Sequence, residues 1–315
     1  MIKISEISNS FKKLNHTEWF NLRESVTPPF TEKEFKSISN FFGVTSMKEV
    51  NNFFLPLADI LNSKYKYKYN PKKNDIRSKD SPVTKNPLII GISGSVSSGK
   101  STFSKILKES IMKLSEKRKV EIISTDGFLF PNSYLEDNQL MEKKGFPESY
   151  NTELLFEFLT KIKEGLEVVY APIYSHKVYD IIASEKIKIE RPDFLIVEGI
   201  NVLQSLNKKN NSFTSNFSDF FNFSIYIDAE KKDLSNWFIN RFLSLRLDAL
   251  NQKEDYFNRF SSISEKEAIS IAKFIWEEIN LKNLNENILP SRNNADLIVK
   301  KNKEHKVNEM WLRNV

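Results

Sequence analysis

"IIGISGSVSSGKSTF", residues 89–103, decides how the rest of the chain is read. An apolar run meets a loop of glycines and serines, then a lysine and two hydroxyls. Gly94, Gly99, Lys100 and Ser101 satisfy the G-x-x-x-x-G-K-[ST] spacing of a phosphate-binding loop. Glycine at 94 and 99 permits backbone conformations that a Cβ would obstruct. The intervening Ser95, Val96, Ser97 and Ser98 can then turn their N–H groups inward around an anion. A helix starting near Lys100 and running through Thr102 adds its positive N-terminal end. In such loops the lysine reaches the β/γ-phosphates and the following hydroxyl ligates Mg²⁺, the roles expected of Lys100 and Ser101. The alternative is a flexible Gly/Ser turn, but a strand before and a helix after is the context the motif requires.

Working outward, residues 88–315 alternate short apolar strands with longer helical patterns. "LIIGI" (88–92), "VEIIST" (120–125), "FLIVEGI" (194–200), "FSIYID" (223–228) and "DLIVK" (296–300) read as strands. The first and third are apolar almost throughout, as strands covered on both faces are. Helical spacing runs over 101–116, 152–164, 233–250 and 265–282, the last opening on a Ser264/Glu267 capping box. The alternation predicts an α/β fold, a doubly wound and mostly parallel sheet. Residues 1–62 read as helical, with a Thr31/Glu34 capping box and a stop at Gly43. "KYKYKYNPKKNDIRSKDSPVTKNP" (64–87) reads as a helix tail entering a solvated basic connector. The predicted organisation is therefore an N-terminal helical segment with its basic linker, residues 1–87, packed on an α/β domain of residues 88–315. "NKKNNSFTSNFSD" (207–219) reads as a polar loop.

Composition narrows the class. Apolar residues at 40% and charged residues at 28% fit a globular protein rather than a disordered one. No apolar run reaches the roughly 18 residues of a membrane helix, and "MIKISEISNSFKKL" lacks a secretory apolar core, so a cytoplasmic protein off the membrane is expected. Zero cysteines exclude disulfides and thiolate metal sites. The net charge of +6 comes from lysines scattered along the chain, which reads as a solvated surface without a nucleic-acid partner.

The acceptor of the phosphate is written elsewhere. The second strand ends in "ISTDGFLFPN", which puts Asp126 just past a strand's carboxyl end, where open parallel sheets bind ligands. A carboxylate there can take the proton of an attacking hydroxyl. Asp-Gly is also an ordinary turn signal. Glu198 closes the third strand, where Mg²⁺ or its waters are held, although Asp is commoner there. "YAPIYSHKVYDII" (170–182) gathers Tyr170, Tyr174, His176 and Tyr179, a cluster that from the residues alone better suits a core patch with its polar tips satisfied. In "WFINRFLSLR" (237–246), Arg241 and Arg246 can fork onto phosphate or carboxylate, with solvated helix arginines as the default.

With these residues assembled, the chain resembles the bacterial type I pantothenate kinases, P-loop kinases of the phosphoribulokinase/uridine kinase kind, over roughly residues 10–315. The resemblance lies in long strings in family order: "STDGFLFPNSYLEDNQLMEKKGFPESYN", "VYAPIYSHKVYDII", "DFLIVEGINVLQ" and "EINLKNLNENILPSRNNADLI", preceded by "ESVTPPFTEKE" and "FLPLADILN". It implies ATP-dependent phosphorylation of the primary hydroxyl of pantothenate with Mg²⁺, the first step toward coenzyme A. It also implies a cytoplasmic homodimer and inhibition by coenzyme A in competition with ATP. Carried over, Gly94–Ser101 hold ATP, Asp126 is the catalytic base, and Tyr174, His176, Tyr179, Arg241 and Asn280 line the pantothenate and coenzyme A region. Two positions depart from the family: Phe238 stands where Tyr is usual, and Lys105 where Arg is usual. Lysine keeps the charge and loses the planar fork, which implies weaker coenzyme A inhibition. A kinase of another hydroxylated metabolite, such as uridine or a sugar phosphate, is the alternative. So is a nucleotide-binding regulator without an acceptor site, although no N-K-x-D segment follows a strand where guanine recognition needs it.

Overall fold

Strand β2 (Leu88–Gly94), buried along its whole length, runs directly into the glycine-serine loop and helix α3 (Lys100–Leu114). In the computed structural model, residues 10–24, 28–36, 46–69, 86–115, 117–204 and 217–314 are described. On either side of β2 lie β6 (Phe194–Glu198) and β7 (Phe223–Ala229), both parallel to it. β3 (Val120–Ser124) pairs parallel beyond β6, and β8 (Leu297–Lys301) pairs parallel beyond β7. These are the five strands expected from the sequence, with ends shifted by one or two residues. The parallel arrangement brings the carboxyl ends of all five to one edge, where a doubly wound sheet binds ligands.

Two further strands complete a seven-stranded sheet of order β1-β9-β8-β7-β2-β6-β3. β9 (Val307–Arg313) runs antiparallel to β8, and β1 (Phe11–Leu14) runs antiparallel to β9. The helical expectation for residues 1–62 is thus corrected at its start. "FKKL" buries Phe11 and Leu14 against the sheet and leaves the two lysines outside, and its ladder partners lie at the far end of the chain. The rest of the described N-terminal part is helical. α1 (His16–Asn21) starts in an Asn15/Glu18 capping box, and the Thr31/Glu34 box forms as expected. A π-helical stretch at Val50–Phe54 leads into α2 (Leu55–Tyr69). Gly43, most of the basic connector and most of the 207–219 loop lie outside the described residues.

Side chains alternate across the strands and divide into two core clusters. Ile90, Ile196, Ile225 and Val299 face α2 and α3 together with Trp19, Phe53, Leu57 and Phe103. Ile89, Leu195, Val197 and Tyr226 face the other way, against α4 (Thr152–Lys163) through Leu155, Phe158 and Ile162. A separate antiparallel hairpin, β4 (Val168–Ser175) and β5 (Asp180–Glu190), stands beside the sheet. The chain closes over the carboxyl edge with α5 (Lys231–Asp248) and α6 (Glu265–Ile275), whose Ser264/Glu267 box is present. The expected helix over 265–282 continues past α6 as a π segment at Trp276–Asn280, a short α turn and a second π segment at Leu284–Ile288. No described helix is long and apolar enough to cross a membrane.

Candidate active site

The loop between β2 and α3 takes the conformation its composition suggests. Gly94 and Gly99 have φ of 149° and 86°, and Ser97 also lies at positive φ, 61°. A side chain at Gly94 would also meet the Ile227 carbonyl, so both conformation and space require glycine there. Among the described residues, the N–H groups of Val96, Ser97 and Gly99 donate to no backbone or side-chain acceptor. The hydroxyls of Ser95, Ser97 and Ser98 are buried without a partner. A concave set of donors left without acceptors fits a phosphate chain.

Lys100 opens α3, and its Nζ donates to the Ser95 carbonyl at 2.9 Å, so the ammonium curls back over the loop. Burial lowers its pKa, while Glu198 and Asp126 favour its charged form. Ser101 donates from Oγ to Glu198 Oε1 at 2.9 Å. Glu198 is 7% exposed, and burial raises its pKa against the pull of Lys100. Asp126 sits in a single 3-10 turn, Thr125–Phe128, immediately after β3. Its N–H donates to Ser124 Oγ at 3.3 Å, and the Tyr150 hydroxyl approaches its carboxylate at 3.4 Å. The glycine after each carboxylate has a packing reason. A Cβ on Gly127 would stand 2.5 Å from the Pro172 carbonyl of β4, and one on Gly199 would overlap the Thr125 hydroxyl.

Lys100, Ser101, Asp126 and Glu198 line one cleft of about 260 Å³, together with Tyr174, His176, Tyr179, Arg241 and Asn280. A second opening shares Ser97, Lys100, Ser101 and Arg241 with this cleft and is also bounded by Gly99, Thr102, Trp237 and His305, with Trp237 stacked on His305 at 3.8 Å. Gly94, Ser95 and Ser98 are buried behind the loop. Of the residues singled out, Tyr170 is exposed on β4 and lines neither opening, and Arg246 also lies away from this edge. That arginine is buried and donates to the Phe260 carbonyl at 2.8 Å and to the Ile263 carbonyl, so it braces the segment before α6. Phe238 lies on the cleft wall near Trp276, and Lys105 is exposed on α3 one turn past Ser101.

The Tyr/His cluster occupies the tip of the β4–β5 hairpin. Tyr179 takes φ of 55° there and stacks on Tyr256 at 4.1 Å, while Tyr174 meets His176 edge-on at 5.2 Å. Burial, then the Arg241 charge, lowers the pKa of His176, which is neutral at pH 7. Two cleft residues escaped the sequence reading. Lys144 donates to Asn132 Oδ1 and to the Tyr179 carbonyl, both at 2.6 Å, and lies 4.0 Å over the Tyr179 ring. Burial brings it down to about 8 against the pull of Asp180 and Asp126. Tyr150 is buried, and burial followed by the neighbouring Asp126 charge raises its pKa far above the usual phenol value. Both belong to "KKGFPESYN", part of a string that carries the family resemblance, in which neither the lysine nor the tyrosine stands at a motif spacing of its own. Asn280 ends a π segment and leaves its Nδ2 buried without a partner, facing the cleft.

The phosphoribulokinase/uridine kinase family matches residues 89–250. Pantothenate kinases from Streptococcus mutans, Histophilus somni and Haemophilus influenzae are 41%, 44% and 43% identical to this chain. The matches cover 96%, 99% and 99% of this chain and 98%, 98% and 100% of those proteins. The chain belongs to the pantothenate kinase family. As a family member it is an ATP-dependent phosphotransferase. Solved structures support the fold at much lower identity. D-glycerate 3-kinase from Cryptococcus neoformans superposes with a TM-score of 0.51 at 13% identity, covering 82% of this chain and 98% of its own. A putative fructose transport system kinase from Silicibacter gives 0.51 at 18%, covering 76% and 92%.

For this pantothenate kinase the burial of His176 has a measurable consequence. The imidazole is predicted to titrate with an NMR midpoint below the ordinary 6.5, because the site disfavours its cationic form. A midpoint at or above 6.5 would contradict the placement.

Proposed function

We propose that the cleft performs the transfer with Lys100 and the loop amides on the phosphates of ATP and Asp126 on the primary hydroxyl of pantothenate. The observation that supports this most is that Lys100 and Asp126 face one cleft, where the Asp126 carboxylate favours the charged form of Lys100. The alcohol oxygen forms a bond to the γ-phosphorus as the bond from that phosphorus to the β,γ-bridging oxygen breaks. The electron pair leaves with ADP, and the hydroxyl proton passes to the Asp126 carboxylate, giving 4'-phosphopantothenate. Lys100 and the unpaired N–H groups of Val96, Ser97 and Gly99 offset the charge that moves onto the departing phosphate. Positioning supplies much of the rest.

Ser101 and Glu198 are the residues for Mg²⁺. One hydroxyl and one carboxylate fit an ion that takes its remaining ligands from phosphates and water, and no cluster of three or more His, Asp or Glu competes among the described residues. When bound, Mg²⁺ neutralises charge on the β- and γ-phosphate oxygens.

Lys144, Tyr174, His176, Tyr179, Arg241 and Asn280 form the acceptor half. Pantothenate has a carboxylate at one end, amide and hydroxyl groups along its length, and an apolar dimethyl carbon. Lys144 and Arg241 suit the anion, the neutral His176 and the unpaired Asn280 amide suit the polar groups, and Phe238 offers an apolar wall in place of a phenol. Coenzyme A carries both a pantothenate-derived arm and nucleotide phosphates, so it can span the acceptor half and the loop and displace ATP.

Asp126→Asn is expected to bind ATP and lose turnover by about two to four orders of magnitude, the range for a positioned acid–base group. Near-normal turnover in that variant would remove Asp126 from the role. Steady-state assays with ATP and a panel of acceptors test the substrate at the same time, with turnover expected to depend on pantothenate and not on uridine or a sugar phosphate. For inhibition, Lys105→Arg is expected to tighten coenzyme A inhibition several-fold by restoring the planar fork, about 1 kcal/mol. An unchanged inhibition constant would exclude Lys105 as a determinant.

A further inference from the structure

One buried charge at this edge has no part in the scheme above. Lys301 is the last residue of β8, in register with Ala229 of β7, and only 8% exposed. Its Nζ donates to the Ser98 carbonyl at 3.0 Å, from behind the phosphate loop. The same Nζ would stand 2.8 Å from a Cβ on Gly99, so the glycine that ends the loop makes room for this ammonium. Its neighbour Lys300 is paired with Glu230 at 2.6 Å, whereas Lys301 makes no ion pair among the described residues. The carboxylate that most influences it, Glu49, already accepts from the Val307 N–H at 2.8 Å. A buried cation without a counter-ion is costly, and proteins retain such groups where a ligand supplies the opposite charge.

We propose that Lys301 is a positioning residue for ATP, an ammonium behind the loop that takes the nucleotide's phosphates as its counter-charge and acts through the Ser98–Gly99 peptide. The Ser98 carbonyl and the Gly99 N–H belong to one peptide unit. A cation on the carbonyl polarises that unit and makes the Gly99 N–H a stronger donor toward the phosphate side. The inference rests on the reading of the loop as the ATP cradle and adds a linkage to it. Burial brings unliganded Lys301 down to about 8, with the Lys100 charge reinforcing the effect and Glu49 opposing it. His305, on the turn between β8 and β9, is itself lowered by burial and by Lys301, so it adds no second cation at neutral pH. Bound phosphates favour the charged form and raise the Lys301 pKa. ATP binding therefore takes up a proton near pH 8, and affinity falls as pH rises through the unliganded value.

The test is calorimetry of Mg²⁺–ATP binding at pH 8 in two buffers of different ionisation enthalpy. A rise of one pKa unit on binding corresponds to an uptake of about 0.4 proton and to about tenfold coupling of affinity. Lys301→Met is expected to lose that uptake and to bind ATP about tenfold more weakly at pH 7. Lys301→Arg keeps a permanent charge and is expected to bind like the unaltered enzyme at pH 7 without the uptake. Comparison with the two variants removes contributions from Lys100, Lys144 and ATP itself. Unaltered proton uptake in Lys301→Met overturns the inference whether or not affinity falls, because a purely structural role would weaken binding and leave the uptake in place. Lys100→Ala is the control. Normal ATP binding in that variant would mean the loop reading has failed, whereas an impaired Lys100→Ala beside an unaltered Lys301→Met would overturn this inference alone.

Discussion

The carboxyl edge of the parallel sheet holds opposite charges out of water, and the rest of the site depends on how they compensate one another. Lys100 and Glu198 are each disfavoured in their charged forms by burial, and each is drawn back toward charge by the other. Each group on this floor of the cleft therefore depends on the other to favour its charged form against burial. The Ser101 hydroxyl joins that floor to the first turn of α3, and the Ser124 hydroxyl favours the charged form of Glu198 while accepting from the Asp126 N–H. Phosphate groups brought into the cradle would meet Lys100 on one side and Lys301 behind the loop.

That arrangement demands close backbone approach, which glycine supplies at strand ends. Thr125 packs so tightly over Gly199 that its hydroxyl occupies the space of a Cβ, and from there it donates to Asn201 Oδ1 at 2.6 Å. Gly127 likewise lets the turn after β3 lie against β4. The carboxyl edge of the sheet and the hairpin carrying Tyr174, His176 and Tyr179 are thereby joined directly beside Asp126. In the proposed reaction the phosphate cradle and the acceptor site must come within bonding distance of each other, and the Asp-Gly step lies between the elements assigned to them.

The sequence made the sheet legible where chemistry and periodicity coincide. Strands β2, β3, β6, β7 and β8 are apolar runs of ordinary length, and the cradle's residue types admit few other readings. What stayed hidden depends on distant partners. "FKKL" has no strand signature of its own and becomes β1 because β9, almost the whole chain away, offers a free edge. The β4–β5 hairpin is interrupted by Pro172 and has an exposed face, so neither helical nor strict strand periodicity marks it. The π segments that aim Asn280 into the cleft leave no trace in composition. Among functional groups, Lys100, Asp126 and Glu198 announce themselves by position after strands. Lys144 and Lys301 do not, because a lysine in a lysine-rich chain becomes distinctive only when folding buries it. Arg246 shows the reverse, a candidate anion ligand that folding turns into a brace for backbone carbonyls.

A crystal structure with a non-hydrolysable ATP analogue and pantothenate bound together would show whether one cleft holds the terminal phosphate under Lys100 and aims an alcohol with Asp126. The γ-phosphate should lie within hydrogen-bond distance of Lys100 Nζ. The primary hydroxyl should lie about 3 Å from the Asp126 carboxylate and in line with the bond to be broken. A nucleotide seated away from the loop, or a hydroxyl directed to a group other than Asp126, would contradict it.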